Sequence, residues 1–95
     1  MAVFLVTWNL NKEGAAYNAA RDQLVARLAN YDNVYDGQRL DTVCFISTMK
    51  TAADVYADLG QVLDQNDRVV ITQMRAGSTV GWLSGYMTDW INARL

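Results

Sequence analysis

Three stretches of this sequence alternate so that both faces of a strand would be apolar, and this constrains the fold most. Ala2–Asn9 sets Phe4, Val6 and Trp8 against Val3 and Leu5. It is too short for a helix and rich in β-branched and aromatic residues, so it predicts a strand buried on both sides. Asp41–Thr48 alternates Thr42, Cys44 and Ile46 with Val43, Phe45 and Ser47, and Arg68–Met74 sets Val69 and Ile71 against Val70, Thr72 and Met74. A 95-residue chain allows one domain, 1–95, burying roughly 60–65% of its unfolded surface.

Between these strands the period changes. From about Ala16 to Asn30, Tyr17, Ala20, Leu24, Leu28 and Tyr31 recur every three or four positions, one face of a helix that starts after the break Asn11-Lys12-Glu13-Gly14. Thr51-Ala52-Ala53-Asp54 reads as a capped helix start leading to Val55, Leu59, Val62 and Leu63. Ser84 caps a last helix with the stripe Met87, Trp90 and Ile91, after a turn at Ala76-Gly77-Ser78. A short strand near Asn33–Tyr35 leads either into a hairpin at Asp36-Gly37 or into a longer loop. The order is that of an α+β ferredoxin-like βαββαβ sandwich with an extra C-terminal helix. Right-handed crossovers put both main helices on one side of the sheet.

The opposite side is then apolar and open, and covering each large side chain is worth roughly 1.5–3 kcal/mol. A second copy of the chain is the expected cover. The segment Trp82–Leu95 and nucleic-acid bases stacked on aromatics are the alternatives, and the first two can coexist.

Composition removes several functions. With no histidine, a Ser–His–Asp triad, histidine-ligated zinc and histidine acid/base chemistry are impossible. Cys44 alone forms no internal disulfide, which fits a reducing compartment. Eight basic against ten acidic residues give a net charge of −2, and the pI of about 4.7 counts against broad nucleic-acid binding. The apolar run at the N-terminus has no basic residue before it and is shorter than the ~20 residues of a membrane span. The expectation is a cytoplasmic protein with no membrane partner.

The residues carry a resemblance. Trp8-Asn9-Leu10, ending the first strand, resembles the start of the small CRISPR-associated ferredoxin-fold nuclease and adaptor family, which includes one of the two core proteins of spacer acquisition. Asp41-Thr42-Val43-Cys44-Phe45-Ile46, Lys50-Thr51-Ala52-Ala53-Asp54, Leu63-Asp64-Gln65-Asn66-Asp67 and Asp89-Trp90-Ile91 resemble the bacterial SinR-like proteins grouped with that superfamily. The resemblance implies a ferredoxin-like homodimer and leaves its activity open. In the nuclease family an aspartate ending the first strand, contributed by both subunits, is proposed to hold a divalent metal. Asn9 stands at that position, and an amide brings one carbonyl oxygen and no charge.

Two functional readings follow. The first is a non-catalytic homodimer that meets a protein partner, or nucleic acid weakly, with no cofactor and no metal ligands. The alternative is a Mg²⁺-dependent endonuclease acting on RNA or DNA, with the metal brought by Glu13 or another acidic residue beside Asn9. Asn9 and Asn11 also suit turn chemistry, and Glu13 suits the positive end of the first helix. Lys50, Arg68 and Arg75 are the candidate phosphate contacts, against an ordinary reading as scattered surface cations. Ser47 and Thr48 would approach Asn9 if their strands were neighbours, but no base accompanies them. Trp8, Trp82 and Trp90 are expected in core or dimer packing, although each could also stack on a base or anchor a partner. Gly77-Ser78-Thr79-Val80-Gly81 lacks the lysine of a phosphate loop and reads as a connector. Cys44 reads as a buried, inert thiol.

Overall fold

In the computed structural model, which describes residues 1–95, eight elements follow one another. They are β1 (Ala2–Asn9), α1 (Gly14–Leu28), β2 (Asp32–Tyr35), β3 (Val43–Thr48), α2 (Ala52–Leu59), a 3-10 turn (Gly60–Val62), β4 (Arg68–Gln73) and α3 (Gly85–Arg94). The strands form one antiparallel sheet in the order β2-β3-β1-β4. This is the ferredoxin-like arrangement, with α3 added after it.

Residues that the alternation put on opposite sides of β1 enter different cores. Phe4, Val6 and Trp8 join Cys44 and Ile46 beneath Leu24 and Leu28 of α1 and Val55 and Leu59 of α2. Val3, Val34, Phe45 and Met74 lie on the other side, beneath Met87, Trp90 and Ile91 of α3. The cover on that second face is therefore the chain's own tail, the alternative to the second copy expected there. Helix starts follow their local chemistry. The Thr51 hydroxyl accepts the Asp54 N–H at 3.1 Å, and the Ser84 hydroxyl accepts the Met87 N–H at 3.3 Å. Gly14 opens α1 at φ +58°, a conformation in the left-handed region that favours glycine.

After Tyr35 the chain takes the longer loop and not the hairpin at Asp36-Gly37. The Asp36 carboxylate accepts the Gln38 and Arg39 N–H groups at 3.1 and 3.2 Å, starting a loop that reaches β3 only at Val43. α2 ends at Leu59, and a 3-10 turn carries the chain to Val62, so Val62 and Leu63 lie beyond the α-helix.

Candidate functional site

The last residue of β1, Asn9, is exposed and lies across from Arg68, the first residue of β4. Leu10 is buried immediately after it and anchors the turn into α1. This end of β1 is held by a group that local sequence patterns do not show. The Lys12 ammonium donates to Asp64 Oδ2 at 2.7 Å and to Asp67 Oδ1 and Oδ2 at 3.0 and 3.1 Å. The Asp67 carboxylate also accepts the N–H groups of Asn11 and Asp64, both at 3.0 Å.

The electrostatics follow from those bonds. Lys12 is held above the usual lysine range by its hydrogen bonds to Asp64 and Asp67. Asp64 is held below the usual carboxylate range, first by Lys12 and then by the Asn66 N–H. Burial works against ionisation of Asp67, but the Asp64 N–H, Lys12 and the Asn11 N–H outweigh it and its pKa is lowered. Both carboxylates are thus anionic and already committed.

Glu13 immediately precedes α1 as its N-cap residue, exposed and with no side-chain cap hydrogen bond. Around Asn9 the chain offers one neutral amide oxygen, two engaged carboxylates and the unpaired side chain of Glu13. No three acidic or cysteine side chains converge anywhere in the protein. Of these side chains only Glu13 is a carboxylate without a cation partner, so this end of β1 brings one such donor to a divalent ion.

The remaining candidates do not gather at Asn9. β1 and β3 are neighbours, as supposed, but antiparallel. Thr48 therefore faces Ala2 and Ser47 faces Val3, at the far end of the strand from Asn9. Lys50 follows at that far end, with its ammonium 5.2 Å from the Tyr31 ring centroid. Arg75 lies just past Gln73, which pairs with Phe4, so it too sits at the far end. Arg68 is the one candidate cation across from Asn9, and its guanidinium donates to the carbonyls of Gln65 and Asp67 at 3.2 and 3.0 Å.

A second polar group lies beside Lys50. Arg27 Nε donates to Asp58 Oδ1 at 2.7 Å, and the Tyr31 hydroxyl donates to Asp58 Oδ2 at 2.5 Å. Burial, followed by the bond to Asp58, pushes Tyr31 up to about 12. Asp58 in turn is lowered, first by Tyr31. Sequence reading placed Tyr31 on the helix face but had no signal for this pairing, which joins α1 to α2. Cys44 is buried, and desolvation raises its thiol to about 12, which keeps it protonated. Trp8 and Trp90 are core residues, whereas Trp82 is 99% exposed in the single chain and lies outside both cores.

No protein-family model matches the chain, and no curated protein matches it. Among solved structures, the crystal structure of Streptococcus pyogenes Cas2 at pH 6.5 is similar, with a TM-score of 0.61 and 20% identity. The likeness covers 83% of this chain and 99% of that one. At this identity it shows the shared ferredoxin-like fold.

Proposed function

We propose that the chain is a homodimeric, non-catalytic protein of the CRISPR-associated nuclease and adaptor type, which meets a protein partner or touches nucleic acid weakly and locally. The fold likeness to Cas2 supports the type. One observation carries the non-catalytic reading. At the end of β1, where that family places a metal-binding carboxylate, this chain presents the exposed amide of Asn9, and its acidic neighbours Asp64 and Asp67 are bound to Lys12. Metal-assisted phosphodiester cleavage needs anionic oxygens free to hold the ion. The cations available for phosphate contact are dispersed over opposite ends of the sheet, which favours weak over extended binding.

The test uses single- and double-stranded RNA and DNA with Mg²⁺ or Mn²⁺, comparing the wild type with Asn9→Asp and Glu13→Ala. The expected result is no metal-dependent turnover by the wild type. Turnover appearing only in Asn9→Asp would mark a degenerate site and agree with this reading. Robust wild-type turnover abolished by Glu13→Ala would replace it with the Mg²⁺-dependent endonuclease. Light scattering on the purified chain is expected to give the mass of two copies.

A further inference from the structure

α3 covers the second face of the sheet only in part. Between α3 and the segment that leads to it from β4 lies a groove of about 490 Å³, within the ~300–1,000 Å³ of small-molecule sites. Its floor is Leu5, Val43 and Phe45 of the two central strands, together with Met74. One wall is α3, through Thr88, Ile91 and Asn92. The other is the connector from Thr79 to Leu83, and Leu40 of the loop before β3 completes the lining.

The lining states what kind of molecule it suits. No charged side chain contributes to it, although charged residues make up 19% of the chain. An ion entering the groove would lose hydration and find no counter-charge, so the groove selects against one. A neutral apolar molecule would cover Leu5, Leu40, Val43 and Leu83, which are only partly buried, and Val80, which is fully exposed. Thr88 and Asn92 stand exposed one turn apart on the α3 wall, placed to meet a single polar group at the rim.

Shape chooses between occupants. Phe45 and Met74 are buried at the floor, below α3 and the connector. A flat protein surface resting on those two walls would bridge the groove and leave its floor uncovered, whereas a small molecule enters it. We propose that this groove is a binding site for a neutral, apolar small molecule that carries one hydrogen-bonding group at its edge. Asn9 and Glu13 take no part in it, and the site needs no second copy of the chain.

Titration of the full chain with Nile red tests the site. This uncharged fused-ring dye has one carbonyl group, and its fluorescence rises on leaving water. The expected result is saturable binding of one dye per chain, equal at low and high salt because no charge is involved. Val43→Phe sets a ring into the floor and is expected to weaken binding about tenfold. Val80→Asp brings a charge to the lining and is also expected to weaken binding about tenfold. It is made at a fully exposed residue and costs no core packing, so it decides if Val43→Phe does not fold. Asn92→Ala, likewise exposed, is expected to weaken binding about threefold. The absence of a saturable signal, or binding that Val80→Asp and Asn92→Ala both leave unchanged, overturns the site. Dye binding that disappears as light scattering shows chains associating assigns the groove to a second copy and overturns it as well.

Discussion

At the contact of α1 and α2 with the sheet Leu24, Ile46, Val55 and Leu59 have no solvent access, whereas at the contact of α3 with it Trp90 keeps 7% and Met74 keeps 9%. On that second face Leu5, Leu40, Val43 and Leu83 are only partly buried and line a groove of about 490 Å³ with Val80 and Ile91. The connectivity explains the difference. Both α1 and α2 are tied to strands at each end, so closing the sheet places them. α3 is tied to β4 through a stretch from Arg75 to Ser84, exposed except at Leu83, that turns at Gly77, φ +81°. The polar ties differ too. Lys12 with Asp64 and Asp67, and Arg27 with Asp58, join the helices and loops of the first layer, while Arg94 with Asp32 is the ion pair holding the tail. A domain whose two faces are built so differently should open in two steps, with the tail leaving first.

The largest effect separates the faces directly. Leu24→Ala leaves a void in the sealed core and is expected to lower global stability by about 3–4 kcal/mol in denaturant unfolding. Trp90→Ala removes a large ring and its stacking partner for Arg94, which sits 4.1 Å from it. If the helix detaches while the sheet stays folded, the cost of Trp90→Ala is capped at the docking energy of α3 and stays below that of Leu24→Ala. Hydrogen exchange should then rise in residues 85–94 and little elsewhere. If Trp90→Ala destabilises the whole chain as much as Leu24→Ala, with uniform exchange, the two faces form one cooperative unit and the contrast fails.

The same contrast explains what could be read from sequence. Alternation along β1 assigned Phe4, Val6 and Trp8 to one core and Val3 and Leu5 to the other, because side-chain direction in a strand depends only on residue parity. The caps at Thr51 and Ser84 were equally legible, since they join residues three apart. Strand direction was not legible in the same way. Ser47 and Thr48 could be placed at a strand end, but only pairing with β1 decides which end of β1 they meet. The Lys12–Asp67 contact spans 55 positions and follows no period, so it emerges only once β1 and β4 are side by side. The role of the tail turned on whether a tethered helix of the same chain would reach the second face before another molecule did. The apolar stripe of Met87, Trp90 and Ile91 fits either outcome.

A smaller effect concerns the polar tie of the sealed layer. Asp67→Asn loses the charge opposite Lys12 and is expected to cost about 1–2 kcal/mol at neutral pH. The sign of its pH dependence is fixed by the direction of the shift. Asp67 has a folded pKa below the ordinary carboxylate value of 3.8, so its contribution is present above that value and disappears as pH falls through the lower folded one. Acid titration of the variant should therefore show a shallower loss of stability than the wild type. An identical acid limb in both would mean that Lys12 and the two N–H groups gain nothing from the charge.

The two helix caps give the finest version of the comparison, because they are chemically alike and differ in which layer they serve. Thr51→Ala removes the bond to the Asp54 N–H and is expected to lower global stability by about 1 kcal/mol. Ser84→Ala removes the corresponding bond to the Met87 N–H, made at 3.3 Å. Because α3 opens before the rest, this loss falls on the tail equilibrium: the unfolding transition of the sheet with α3 detached stays unchanged, while exchange of the α3 amides rises about fivefold. Equal shifts in the global transition for both variants would show that α3 unfolds together with the sheet.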